Sequence, residues 1–297
     1  MSSEFLSSIA APPVFTVRKS GFARRLRWLA ANPGAATGGV LLLLILVAAI
    51  TAPWVFPNDP LDMVGPPIQW PGQDPAFWLG TDTMGRDIAA GLAHGARVSL
   101  TVGVTAALLS LAIGIAVGAS AGYFGGWVDA VLMRVTELLQ TIPAFLLVVV
   151  IVAIGKPSVS VIALSIGVAS WPVVARLVRA EFRTLRESEF VLAARSNGFG
   201  HAHIVLREIL PNALPPVIVT TSVLVANAIL MESALSFMHL GDPNAVSWGS
   251  MIGDAREMLR TAWYLAALPG LSIVLTVLSL NLLGDALNDA FNPRLSA

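Results

Sequence analysis

The sequence predicts an all-α, polytopic membrane protein with six transmembrane helices and both termini in the cytoplasm. Three observations predict it. Of 297 residues, 56% are hydrophobic and only 12% are charged; an average soluble domain carries roughly 25% charged residues. Six stretches of 18 or more residues contain no Asp, Glu, Lys or Arg: 28–58, 98–128, 138–155, 157–175, 209–231 and 261–284. Finally, Lys and Arg are unevenly shared between the two sides that six spans would create.

A helix needs ~20 apolar residues to cross a ~30 Å hydrocarbon core. The charge-free stretches place the spans near 34–56, 99–122, 131–154, 159–178, 213–237 and 264–287. The runs are continuously apolar and do not alternate, so helices are expected and not barrel strands. Lipid cannot satisfy backbone polar groups, and a helix satisfies its own. Twelve basic residues fall on the side of the N-terminal segment, the loop between the fourth and fifth spans with its flanks (Arg176 to Arg207) and the tail, against five on the other. That bias puts both ends in the cytoplasm. The first apolar stretch is read as a retained helix, because the 33 residues before it are long for a signal-peptide n-region.

The expected organisation follows. Residues 1–33 form a cytoplasmic tail whose segment 18–31 (RKSGFARRLRWLAA) reads equally as an interfacial helix or a solvated, topology-setting lead-in. Residues 34–56 are the first span, and 57–97 a long extracytoplasmic loop rich in Pro, Asp and Trp. In it, Gly80 and Gly85 suit turns, and Asp and Thr can cap a helix at about 87–96. Residues 98–290 form a five-helix core, and 291–297 a cytoplasmic tail. Prolines at 143, 172, 215, 216 and 269 predict kinks. Gly103, Gly114, Gly118 and Gly122 suit close helix packing.

Composition also excludes chemistry. Eighteen basic and eighteen acidic residues give no basic footprint for nucleic acid. With no Cys there is no thiolate ligand or cysteine nucleophile. His94, His201, His203 and His239 are scattered, so no metal site is expected. No G-x-x-x-x-G-K-[ST] phosphate loop and no G-x-S-x-G motif occurs, so no catalytic residue and no bound cofactor is expected on this chain.

The informative segment is 179–211, RAEFRTLRESEFVLAARSNGFGHAHIVLREILP. Residues 180–196 have helical composition, Gly198 and Gly200 stop that helix, and a second amphipathic piece, 201–210, runs to Pro211. So long a connection is read as a compact knob built to insert into another protein's groove, or else as an amphipathic hairpin on lipid headgroups. Within the spans, Glu137 can pair with Arg134 at i, i+3. Glu232 is expected within solvent reach near the outer end of the fifth span. Asn227 and Glu232 are candidates for a pathway or gate, since polar groups there face a cavity or a partner.

At this loop the sequence resembles the membrane subunits of ATP-binding-cassette importers, whose signature is E-A-A, three residues, Gly, nine residues, I-x-L-P. Here Ala193-Ala194 precedes Gly198, and Glu208-Ile209-Leu210-Pro211 follows at the same spacing. Leu192 replaces the Glu and Glu208 the first Ile. Further runs are similar to the dipeptide, oligopeptide and nickel permease branch, in its second, dipeptide permease C-type subunit. They are Leu79-Gly80-Thr81-Asp82, Gly85-Arg86-Asp87, Gly95-Ala96-Arg97-Val98-Ser99-Leu100, Glu232-Ser233-Ala234-Leu235-Ser236-Phe237, Ser247-Trp248-Gly249-Ser250-Met251, and the ending from Asn281 to Arg294. Where that subtype shows Phe-Leu-Gly-Leu-Gly, this chain has Phe237-Met238-His239-Leu240-Gly241.

The resemblance implies a type I importer permease in a bacterial inner membrane, paired with a homologous permease subunit. Two ATPase subunits, which hold ATP and Mg, would dock on the coupling loops, and an extracytoplasmic binding protein would deliver a peptide. It implies an ATPase-coupling role for Ala193, Ala194, Arg195, Gly198, His201, Ile209, Leu210 and Pro211. Nickel or another small solute is the alternative cargo. A stand-alone secondary transporter would need midplane acids, which no span carries at its centre.

Overall fold

The computed structural model describes residues 32–291, and the expectations for 1–31 and for the tail from 292 lie outside them. No β-strand occurs among the described residues.

Asn32 caps α1 (Pro33–Val55), its side chain accepting from the Gly34 N–H at 3.0 Å, and Pro33 supplies the preset φ of a first turn. One narrow stripe, with Gly38 against Leu282 and the Ser279 carbonyl, rests on the last helix. Val40, Leu43, Leu44, Val47 and Ile50 face outward, as lipid-facing residues do.

The loop 57–87 is folded, not extended. Thr81 is fully buried, donates to the Pro66 carbonyl and accepts from the Gln69 N–H. Gly80 and Gly85 hold φ of +82° and +80°, and a Cβ at either would strike a backbone carbonyl at 2.0 or 2.1 Å, so only Gly fits. Tyr264 Oη donates to the Gln69 carbonyl at 2.8 Å and pins this loop to the last helix.

Asp87 caps α2 (Ile88–Phe124), accepting from the Ala89 N–H at 2.9 Å. The expected short loop helix and second span are therefore one helix of 37 residues, about 55 Å long at 1.5 Å per residue. No Pro interrupts 88–98, and Gly91 and Gly95 stay helical, packed against Met251 and Trp248.

The expected third span, 131–154, is broken. α3 (Gly126–Thr141) and α4 (Ala144–Gly155) meet at an 82° bend. Pro143 is the cause: it drives Ile142 into an extended conformation (φ −89°, ψ 126°), which ends the helix. The described chain thus has five long apolar helices, or six spans if this bent pair is one.

Ser158 caps α5 (Val159–Arg186), whose apolar face packs along α2. Gly114, Gly118 and Gly122 let the two backbones meet: a Cβ on Gly118 would lie 2.4 Å from the Ala175 carbonyl. The expected helix 180–196 is split at Glu187–Ser188, so α5 takes its first half and α6 (Glu189–Ser196) its second. α7 (His201–Phe237) is continuous and contains a π-turn at Ile204–Ile209. Pro211 lacks an N–H and crowds the carbonyl four residues back, and the wider i→i+5 bonding, as from Leu210 N–H to the Val205 carbonyl, relieves that crowding. Pro211 therefore does not restart a helix, as its position after the loop suggests, but sits inside one.

Ser247 and Ser250 form a reciprocal cap for α8 (Trp248–Ala255). Trp248 is buried, donates to the Leu92 carbonyl at 3.0 Å and lies over Gly95. α9 (Tyr264–Phe291) closes the bundle against α1 and α7.

Candidate functional site

The segment between α5 and α7, together with the first turns of α7, forms a small knob packed on the bundle. Val191 and Ala194 of α6 meet Ile204 and Ile209 of the π-turn, all within the main core that includes Phe182 and Val178. Gly198 turns the chain at φ +78°, with the Phe199 N–H donating back to the Ala194 carbonyl at 3.2 Å. The knob also exposes large apolar side chains: Phe190, Leu192, Phe199 and Leu206. Phe199 stacks on the His203 ring at 4.3 Å between centroids, giving the knob a flat, stiff edge.

The residues that the signature spacing singles out divide into two groups. Ala194 and Ile209 are core. Ala193, Arg195, Gly198, His201 and Pro211 are exposed, and Leu210 is half-buried. Arg195 and His201 converge on one residue that spacing did not reveal, Tyr123 at the end of α2. Its hydroxyl lies 2.7 Å from His201 Nδ1, and the Arg195 guanidinium lies 6.0 Å from its ring centroid. Tyr123 had one legible signal: it is one of only two tyrosines in the chain. Beside it, Asp129 of α3 takes two hydrogen bonds from the Arg179 guanidinium of α5, from Nε and Nη2.

Asn227 and Glu232 do not form one site. Asn227 is exposed along α7, whereas Glu232 is 1% exposed. Solvent does not reach Glu232, contrary to expectation, because α2 and α8 cover it. Its carboxyl accepts from Ser236 at 2.7 Å, from Ser99 of α2 at 3.0 Å and from Ser233 at 3.4 Å. These serines satisfy a buried carboxyl that would otherwise be prohibitive in an apolar bundle. Glu137 pairs with Arg134 at 3.7 Å, as i, i+3 spacing predicts, on an exposed face.

At the far end from the knob, a cavity of about 430 Å³ lies between the 57–87 loop and α8, with Asp82, Arg86, His239 and Asp254 on its wall. Arg86 and His239 both stand 3.8 Å from Asp254. Burial pushes the Asp254 carboxyl above its ordinary 3.8, against the opposing pull of Arg86 and His239. The folded state therefore holds this proton more tightly than the unfolded chain does. Its contribution to stability is largest below pH 3.8 and shrinks as pH rises through the shifted value. Asp254→Asn is expected to flatten the decline of melting temperature above pH about 4; an unchanged slope in a pH series of thermal melts would refute this. No three His, Asp or Glu side chains converge as a metal site requires, among the described residues.

Residues 114–297 match the family described as the inner membrane component of binding-protein-dependent transport systems. The chain belongs to that family. Residues 22–74 match the N-terminal transmembrane domain of oligopeptide transport permease C. Among relatives of this inner membrane component, the di/tripeptide transport system permease protein DppC of Pseudomonas aeruginosa is 39% identical over 89% of each chain. The dipeptide transport system permease protein DppC of Escherichia coli is 40% identical over 89% of this chain and 90% of that one. A putative peptide transport system permease protein of Brucella abortus is 38% identical over 98% and 99%. A chain of the inward-facing MetNI methionine ABC transporter shares the fold at 16% identity, with a TM-score of 0.57 over 68% of this chain and 97% of that one. The protein is thus a multi-pass inner-membrane permease component with the ABC-importer permease fold.

Proposed function

We propose that this chain is the transmembrane permease subunit of an ATP-driven importer that carries dipeptides or short oligopeptides by alternating access. It pairs with a homologous permease subunit, receives peptide from an extracytoplasmic binding protein, and contributes no catalytic residue. Hydrolysis belongs to two ATPase subunits that hold ATP and Mg. Residues 98–290 form the permease core and 179–212 its coupling loop, and both termini lie in the cytoplasm.

The observation that carries this reading is the knob: buried Val191, Ala194, Ile204 and Ile209 hold a segment that exposes the large apolar side chains Phe190, Leu192, Phe199 and Leu206. Four large apolar side chains left open on so short a segment suit an interface with another protein. A rigid base under them lets a pull on the knob reach the bundle. Asn227, polar and exposed on α7, faces the pathway or the sister subunit, because lipid would leave its amide unpartnered. Glu232, by contrast, acts as a latch between α2 and α7 near the outer gate.

Ala194→Asp places a carboxylate in the knob's core, and Gly198→Arg adds a Cβ at a left-handed turn, at a cost of about 1–2 kcal/mol, and puts a long cationic side chain on the knob's surface. Both variants are expected to lose peptide uptake by more than tenfold, Gly198→Arg at normal abundance in the membrane and Ala194→Asp with some loss of abundance from the buried charge. Uptake assays in whole cells check this; wild-type uptake by either variant would count against the coupling role.

A further inference from the structure

We propose that Tyr123 is the positioning residue through which displacement of the knob is delivered to α2 and α5; the proposal rests on the importer reading above. Tyr123 is 4% exposed, at the last turn of α2, whereas His201 is exposed on the knob. Their polar atoms stand 2.7 Å apart and their rings meet edge to face at 5.6 Å. Among the described residues, this is the one hydrogen bond that ties residues 189–203 to the bundle beyond their immediate chain neighbours. Apart from the chain itself, which continues from His201 into α7, and the Arg195 contact with the Tyr123 ring, the remaining attachment is apolar packing, which is non-directional and tolerates sliding. A hydrogen bond fixes distance and angle. It therefore sets the register in which the knob pulls.

The load has a continuation on the bundle side. Arg186 Nη1, at the end of α5, donates to the Tyr123 carbonyl at 3.0 Å. Gly122, the residue before it, lies directly on Phe182 and the Arg179 backbone of α5. The Asp129–Arg179 ion pair binds the start of α3 to the same turn. A shift at His201 is thus handed to Tyr123 and from there to α2, α5 and α3 together. The Arg195 guanidinium over the ring adds a second contact from the knob to the same side chain.

The test uses the whole complex (both permeases, both ATPases and the binding protein) in proteoliposomes and reads peptide taken up per ATP hydrolysed. Tyr123→Phe keeps the buried ring and removes only the hydroxyl. It is expected to lower that ratio about fivefold, the change a hydrogen bond of typical strength imposes on a two-state equilibrium. His201→Leu, a change at an exposed position that leaves the core intact, is expected to lower it equally. The double variant is expected to fall no further. His201→Asn, whose amide can sit where Nδ1 sits, is expected to restore most of the ratio. A wild-type ratio in Tyr123→Phe or His201→Leu, or losses that multiply in the double variant, would overturn the proposal while leaving the importer reading standing. Absence of ATP-driven uptake by the wild-type complex would overturn both.

Discussion

Gly118→Leu is expected to remove the folded protein from the membrane. At Gly118 the backbone of α2 packs directly on the backbone of α5. Even a Cβ there would lie 2.4 Å from the Ala175 carbonyl oxygen and 2.8 Å from Val178 Cβ. Backbone cannot rotate away as a side chain can, so the helices must separate along a contact that Gly114 and Gly122 share one turn to either side. Overpacking of a close-packed interior typically costs about 1–3 kcal/mol, and a full Leu against two backbones belongs at or above the upper end. Detergent-solubilised abundance and melting temperature are the readouts, and a large fall in both is expected. Gly270→Ala is the control: its Cβ would meet nothing within 4 Å, and replacing a mid-helix Gly by Ala should leave stability unchanged or raise it by up to about 1 kcal/mol. Equal behaviour of the two variants would contradict the packing account.

Glu232→Ala is expected to destabilise the bundle by about 3 kcal/mol, from lost hydrogen bonds to a carboxyl and the cavity left behind. The carboxyl joins Ser99 on α2 to Ser233 and Ser236 on α7. Behind it, Gly249 of α8 rests on the Ser233 backbone, so the vacancy opens at a three-helix junction. Glu232→Gln keeps the volume, and serine hydroxyls can turn to accept from the amide, so its loss should be about 1 kcal/mol or less. Thermal melts of the purified protein separate the two. If Ala and Gln variants melt alike, the serine-linked carboxyl is not what holds α2 to α7.

Helix existence was legible because a bilayer leaves the sequence little choice: charge-free runs of sufficient length must be helical. The breaks were less so. Pro143 ends α3 with an 82° bend, whereas Pro172, Pro215 and Pro269 lie within continuous helices. The proline looks the same in each case, and neighbouring packing decides whether the chain bends. The knob was legible because its spacing is local, with Gly198 at a left-handed turn and amphipathic segments on either side. Tyr123 was not, since it lies 78 positions from His201 and only the packing of α2 on α5 joins them. Glu232 was misplaced for a similar reason. Its depth along α7 suggested solvent, but burial depends on α2 and α8, which arrive from distant parts of the chain.

The most direct test of the central claim is ATP-driven peptide uptake by the chain reconstituted with its co-purifying subunits and binding protein. The account predicts co-purification of ATPase subunits and a sister permease, hydrolysis stimulated by a dipeptide with its binding protein, and dipeptide accumulation that stops when ATP is withheld. Purification without any ATPase, or dipeptide flux by this chain alone that proceeds without ATP, would contradict it.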